Sequence, residues 1–484
     1  MRDKSNLHLL KNNNSRRSSH LFYLFRPIST MTRIIPSYKR AACKFRYQYV
    51  LHINLGFRSV TALMEILQVK KHGQSDSPQL TAPFVPNELI AEILSYLNVK
   101  TIMQLKCVSK SWNSLITDPS FVQKHLEKSS QNPHIILTPP TLKYSINSVE
   151  SFPVSRFLEN PSITVFGDNF HDSNDICQVV GSCNGLFCLS FHSLHRKYRK
   201  YWFCLWNPAT RTISEELGTF QCSLSETFKF SFGSDISTGI YKLVAYRAEE
   251  DDANHNGSWR SQVRIFSLSD NYWRNIESFP LIPIGCIQIN RNNNGVYLSG
   301  KVNWLVIRNY FCASYHYECM TYVEQFLIVS LDLSTEAYTQ FLLPPGFDEV
   351  PQFQPTLHVL MDCLCFSHDF KGTEFVIWQM KEFGVQESWT QLFRIDYFNL
   401  EMYNIPINYD MNFDAEFIEC CTPPLLPLYL SKNDDTLILA NYEDDRAIIY
   451  NRRDKRAKRI TISNKLCWFS AMDYVESLIS THCK

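Results

Sequence analysis

The chain has 484 residues, 45% hydrophobic, 14% aromatic and 20% charged, which is apolar enough for two or three domains with cores of their own and excludes a wholly disordered, collagen-like or coiled-coil chain. No uncharged apolar run approaches the roughly 18 residues a membrane span needs. The net charge of +1 hides an asymmetry: residues 1–60 hold twelve Lys and Arg against one acid, Asp3, a balance of +11 that leaves −10 for the rest. A mildly acidic body has no general attraction for nucleic acid, and no nucleic-acid or membrane partner is expected. The sixteen cysteines are spread out without dense spacing and no secretory apolar segment precedes them. They read as reduced, buried small side chains of a protein of the cytoplasm or nucleus.

Residues 1–63 are Arg-rich and nearly acid-free, with NNNSRRSSH followed by FRPISTMTRIIPSYKR. That composition fits a leader outside the working fold, with organelle targeting as the alternative and Met64 as a second candidate start. Residues 64–83 read as a linker, ending in KKHGQSDSPQLTAP.

Residues 84–128 change to a helical period. Leu89, Ile90, Ile93, Leu94 and Leu97 form one broad apolar face, entered at Pro86, where a missing N–H costs nothing. Asn98 is placed to cap a second helix carrying Ile102, Leu105 and Val108. Ser109 does the same for a third carrying Trp112, Leu115 and Ile116, and Asp118-Pro119 breaks the run before a fourth reaching Leu126. Some forty residues of short helices cannot bury all these side chains among themselves, so part of the apolar face wants a partner.

The run P-x-E-L-I-x-E-I-L-x-x-L-x-V-K, followed by K-C-V-S-K-S-W-x-S-L-I-x-D-P-x-F, resembles a plant F-box. Val85-Pro86 stands where the family has Leu-Pro, and Asn98 where it has a second proline. The resemblance implies docking onto a Skp-type adaptor and, through it, onto a cullin. It puts the adaptor contacts on Pro86, Leu89, Ile90, Ile93, Leu94, Leu97, Val99, Leu105, Val108, Ser109, Trp112 and Leu115. The alternative for several of these, Leu105 and Leu115 above all, is that they pack the helices together.

Residues 129–174 read as a connecting segment, 175–465 as a β-rich body and 466–484 as a C-terminal tail. In the body, period two replaces the helical period, and Asn184-Gly185 between two apolar runs is the strongest hairpin signal. An imperfect repeat recurs: LWNPATRTI at 205–213, IFSLSDNYWRNI at 265–276, VSLDLSTEAYTQF at 329–341, IWQMKEFGVQESWTQLFRI at 377–395 and IIYNRRDKRAKRI at 448–460. Each is an apolar run that ends in a polar turn, at a spacing that suits kelch-type blades better than a solenoid. GSCNGLFCL, LWNPATR and GKVNWL resemble recurrent phrases of the F-box-associated, kelch-like region of plant F-box proteins. The fold class expected is therefore a small all-α F-box module followed by an all-β, propeller-like domain, with six blades preferred and insertions at 249–258 and 308–322.

Chemical constellations are sparse. Gly181-Ser182-Cys183-Asn184-Gly185 has the form of a nucleophile elbow, but a strand rather than a helix follows it, so a hairpin explains it. Cys363, Cys365 and His368 lack a second ligand pair at zinc spacing, and Cys420-Cys421 is isolated. Basic runs at 196–200 and 452–459 read as solvated turns, Glu249–Asp252 as a loop, and the recurring Trp206, Trp273, Trp304, Trp378 and Trp389 as packing between sheets. No catalytic, metal or cofactor site is expected. The reading is a substrate-recognition subunit of a Skp–cullin–F-box ubiquitin ligase, its β domain holding an unidentified protein substrate. The alternatives are a binding module outside any ligase and a kelch-type oxidase.

Overall fold

The structure is a computed structural model that describes residues 87–138, 150–160, 162–164, 176–250, 259–284, 295–308, 321–400, 425–441, 446–463 and 467–482. The leader, the linker, Pro86 and Cys420-Cys421 lie outside them, as do most of the two expected insertions. Four short helices come first: α1 (Asn87–Leu94), α2 (Val99–Leu105), α3 (Lys110–Thr117) and α4 (Pro119–Ser129).

Six antiparallel sheets follow. The first holds β4 (Ile176–Cys183), β5 (Leu186–Leu194) and β6 (Tyr198–Asn207), with β7 (Thr212–Ile213) and β8 (Leu217–Ser223) both on the outside of β6. The second is β9 (Lys229–Ser234), β10 (Tyr241–Glu250), β11 (Trp259–Ser267) and β12 (Tyr272–Asn275). In the third, β13 (Ile282–Pro283) and β14 (Val296–Leu298) pair with β15 (Lys301–Ile307), followed by β16 (Phe326–Asp332) and β17 (Tyr338–Phe341). The fourth is β18 (Thr356–Leu360), β19 (Cys363–Phe370), β20 (Glu374–Met380) and β21 (Trp389–Asp396). The fifth is β22 (Leu425–Leu430), β23 (Thr436–Asn441), β24 (Arg446–Asn451) and β25 (Arg456–Ser463), extended by a parallel contact to β3 (Ser162–Thr164). The sixth joins the two ends of the β region: β26 (Cys467–Tyr474) pairs with β1 (His134–Thr138), which pairs with β2 (Glu150–Pro153) ahead of helix α5 (Val154–Glu159).

Alternation of side chains along each middle strand explains the near-continuous apolar runs, because both faces of every sheet are buried. In β10, Leu243 and Ala245 pack toward the first sheet, against Phe203 and Leu205, while Val244 and Tyr246 pack toward the third, against Val302 and Trp304. The same division runs round the molecule. Phe366 and Met380 meet Ile328 of the third sheet; Ile377 and Cys365 meet Leu437 and Leu439 of the fifth. Ile438 and Ala440 meet Ile135, Leu137, Phe157 and Trp468, and Ile136 of the sixth sheet meets Phe187 and Trp206 of the first. Every sheet thus has an apolar partner on each side, and the ring of six blades is closed.

The connecting segment expected at 129–174 and the tail expected at 466–484 therefore supply strands of the sixth blade. No local signal announced this, because β1 and β26 have no hairpin between them and find each other only when the ring closes. The acidic stretch expected as a loop at Glu249–Asp252 is strand as far as Glu250, and Glu249 pairs with Arg247 and Arg260.

Turn chemistry accounts for the repeat. Asn184 and Gly185 both have positive φ, 52° and 76°, the requirement of a two-residue type I′ turn. Between the third and fourth strands, a polar side chain opens the turn by accepting two backbone N–H groups. Asn207 accepts from Ala209 and Thr210, Asp332 from Ser334 and Thr335, and Asn451 from Arg453 and Asp454, at 2.8–3.2 Å. Four residues after each opener, Arg211, Glu336 and Lys455 take the left-handed conformation that ends the turn.

Candidate protein-interaction site

The helical module is built as its caps foretell. The Asn98 side chain accepts the Thr101 N–H at 2.9 Å, and Ser109 accepts that of Trp112 at 3.1 Å. Asp118 caps α4 through the Ser120 N–H at 2.8 Å, with Pro119 in the first turn. Buried Leu94, Leu97, Val99, Ile102, Leu105, Trp112, Ile116 and Phe121 make its core. His125 is fully buried among them, one ring nitrogen 2.9 Å from the Leu97 carbonyl and the other 3.3 Å from the Ser129 hydroxyl; burial holds it below the usual histidine range. Glu92 of α1 pairs with Lys124 of α4 at 2.5 Å, and that hydrogen bond lowers its carboxyl pKa.

This division sorts the twelve expected adaptor contacts. Leu94, Leu97, Val99, Leu105 and Trp112 are spent on the interior and offer almost no surface. Ser109 is engaged as a helix cap. Pro86 lies outside the described residues. Leu89, Ile90, Ile93, Val108 and Leu115 remain with apolar surface in water, Leu89 39% exposed. Leu89, Ile90 and Ile93 share one face of α1 by their spacing. Period alone could not separate the two groups, since the inward and outward stripes of a short helix overlap.

Beneath the module lies the segment after β26. Gly185, in the first sheet's tight turn, sits so close to Ser477 and the Val475 carbonyl that a Cβ would collide with both. Asn207, fully buried, donates from its amide to the carbonyls of Ser477 at 3.0 Å and Ile479 at 2.9 Å. The Ala209 N–H reaches the Tyr474 hydroxyl. In the same segment, the Glu476 carboxylate accepts the Val99 N–H at 3.3 Å, at the start of α2. Gly185 and Asn207, the marked residues of two recurrent phrases, thus hold the segment that closes the ring and meets the helical module.

Turns at this end of the ring are also stitched by charge. Lys242, almost fully buried, lies 3.5 Å from Asp235 and 3.3 Å from Glu336, and Glu336 is also paired with Arg274. Burial alone would raise the Asp235 carboxyl pKa, but donors on Ser237 and Ser334, each at 2.6 Å, hold it far below the usual range. Ser334 and Glu336 belong to the third sheet, so the network locks neighbouring blades together.

The metal candidates do not converge. Cys365 packs toward the fifth sheet and His368 toward the third, ringed by Phe347 and Phe366. His358 is directly opposite Cys365, yet neither of its ring nitrogens has a partner, and burial holds it neutral, its pKa lowered to about 3. Among the described residues no three His, Cys, Asp or Glu side chains come together as a metal site, and no helix is long and apolar enough to cross a membrane. Burial raises the Cys183 thiol to about 11, the opposite of an activated nucleophile, and Asn184-Gly185 closes a hairpin as expected. Trp206, Trp304 and Trp389 are buried between sheets, and Trp273 and Trp378 pack at their margins.

Comparison with known proteins agrees with this architecture. A family model described as F-box domain matches residues 85–124, and one described as F-box associated beta propeller domain matches residues 141–481. An F-box/kelch-repeat protein of Arabidopsis thaliana is 29% identical over 326 residues, 64% of this chain and 79% of that protein. An F-box protein of the same plant is 27% identical over 349 residues, 66% of this chain and 71% of the relative. Among solved structures, AztD of Citrobacter koseri is 6% identical with a TM-score of 0.33, covering 71% of this chain and 97% of AztD.

Proposed function

The chain belongs to the F-box proteins that carry an F-box associated β-propeller, and from that premise we propose that it is the substrate-recognition subunit of a Skp–cullin–F-box ubiquitin ligase. The F-box module docks a Skp-type adaptor through Leu89, Ile90, Ile93, Val108 and Leu115, and the propeller holds a protein substrate. The buried members of the expected contact set act indirectly, by setting the helices that present this surface. The adaptor leads on to a cullin, in the cytoplasm or nucleus. The chemistry belongs to the assembly: held on one scaffold, a substrate lysine meets the conjugating enzyme at an effective concentration far above its free one.

The observation that carries this reading is the apolar surface on α1 of a module whose interior is already filled. It also changes the informative substitution. Leu94→Asp would put a charge into the module's core and unfold it, whereas Leu89→Asp acts at the surface. Leu89→Asp is expected to weaken binding to a Skp-type adaptor at least tenfold, measured by titration calorimetry, with helix content by circular dichroism unchanged. Normal adaptor binding by Leu89→Asp would overturn the docking face. Recovery of adaptor without cullin from plant cells would favour a binding module outside the ligase.

A further inference from the structure

The seam between the first and second blades ends, on the side away from the helical module, in a group of arginines. Arg199 stands near the start of β6 and Asn207 at its end, about 26 Å away at 3.3 Å per residue, and the Asn207 end is the one that meets the segment beneath the module. Arg199 donates to the Glu226 carbonyl at 3.2 Å, the Thr227 hydroxyl at 2.9 Å and the Tyr201 hydroxyl at 3.2 Å. Arg247 of β10 pairs with the Glu226 carboxylate at 3.0 Å and with Glu249. On β11, Arg264 is the diagonal neighbour of Arg247, since Arg247 faces Gln262 and Arg264 faces Ala245; diagonal neighbours lie about 7–8 Å apart on one face. The guanidiniums of Arg247 and Arg264 are 5.7 and 5.2 Å from the Phe228 ring. Arg199 covers Tyr201 and Arg264 covers Phe220, and those two rings stack at 5.2 Å. All three arginines therefore close on the turn at 226–228.

The group is short of acceptors. With Arg260 included, four arginines meet two carboxylates, Glu226 and Glu249, and both carboxylates are turned to Arg247. Arg264 makes no hydrogen bond or ion pair among the described residues. On both Arg199 and Arg264 the Nε is buried without a partner, while unpaired Nη groups reach the surface, one on Arg199 and two on Arg264. An unmet buried N–H of a charged group costs free energy, and a lysine stem would cover the Phe220 and Phe228 rings without it. Packing therefore does not account for a guanidinium at 264. The buried Cys222 thiol records the convergence: burial and the Glu226 carboxylate raise its pKa, against the pull of all three guanidiniums.

We propose that this seam binds a phosphoryl group carried on a side chain of a protein partner, held between the free Nη groups of Arg199 and Arg264. A phosphoryl group brings about −1.5 to −2 charges and three acceptor oxygens, which match a surplus of two cations with unsaturated planar forks; a carboxylate brings one charge. Apolar surface beside the arginines favours a polypeptide over a free anion. Leu194, 62% exposed, stands directly opposite Arg199 across the β5–β6 pair, and Leu224, 42% exposed, lies in the loop that leads to Glu226. The body beyond residue 60 carries −10, which disfavours a nucleic acid. The inference rests on the reading of the propeller as a holder of protein. Its test involves no adaptor, so its failure and that of the docking face on α1 are distinguishable.

The test uses the full chain and a fluorescein-labelled peptide, Gly-Ala-Leu-phosphothreonine-Leu-Ala-Gly, followed by anisotropy. The phosphopeptide should bind, and its plain threonine and glutamate forms should bind at least tenfold more weakly. Arg264→Gln should weaken the phosphopeptide about tenfold or more, and Arg264→Lys, which keeps the charge without the fork, several-fold. Lys381→Gln, remote from the seam, should change it less than twofold; melting curves confirm that the variants fold. Inorganic phosphate should compete, but with an affinity several-fold below that of the phosphopeptide. No binding of the phosphopeptide, equal binding of the glutamate form, or undiminished binding by Arg264→Gln would each overturn the proposal. So would inorganic phosphate binding as tightly as the phosphopeptide, the mark of a free-anion site, or tighter binding of a single-stranded oligonucleotide of the same charge.

Discussion

Five blades of this propeller each have four consecutive strands from one stretch of chain, the fifth extended by β3, and the sixth is made from the two ends of the β region. The five can begin to form through adjacent hairpins, whose closure spans only a few residues. The sixth depends on pairing His134 with Tyr474, so it gains nothing until the rest of the ring is in place. What the chain lacks there in local signal it supplies in fixed contacts: the buried Trp468, the Asn207 amide and the crowded backbone at Gly185. The lesson is that ring closure is the least local event in this fold and rests on a few residues far apart in sequence.

The comparison can be broken most severely by removing the closing strand. A chain ending at Lys465 leaves β1 and the face of Phe187 and Trp206 uncovered, and it should lose cooperative unfolding, read by calorimetry as a broad or absent transition. A stable, sharp transition would mean that five blades suffice. Asn207→Ala comes next. It removes two amide donors, leaves the carbonyls of Ser477 and Ile479 unmet in a buried place, and should cost about 2–3 kcal/mol in urea unfolding. The smallest effect concerns a blade made of local hairpins. His358 is held neutral with its pKa near 3, so the unfolded chain takes up a proton first as pH falls below about 6.5. Its contribution is complete above that value, and between pH 7 and pH 5 about 2 kcal/mol of stability should disappear, at about 1.4 kcal/mol per unit. In His358→Leu the fall over this range should be smaller by that amount; an unchanged pH profile would show that the ring is not desolvated.

Those differences also mark what could be read from the amino-acid sequence. Asn184-Gly185, the polar openers Asn207, Asp332 and Asn451, and the caps Asn98 and Ser109 act on backbone within a few residues of themselves, so their chemistry is visible locally. The family resemblance carried the rest of the architecture. The pairing of β1 with β26 was invisible, because strands of five and eight residues carry no address for a partner more than 300 residues away. The docking surface was half legible: spacing named the apolar residues of α1 but could not say that Leu94 is spent inside while Leu89 faces water. The seat of the helical module, Glu476 against the Val99 N–H, joins residues 377 apart and has no sequence signature.

Native-state hydrogen exchange on the full chain tests the closed ring most directly. If the sixth blade is as much a part of the cooperative unit as the other five, the hydrogen-bonded amides of β1 and β26, from Ile135 to Leu137 and from Ala471 to Tyr474, should exchange only on global opening, as slowly as those of β23. Exchange of β1 and β26 at rates orders of magnitude faster, with the first five blades still protected, would show that the ring is open and would contradict the account.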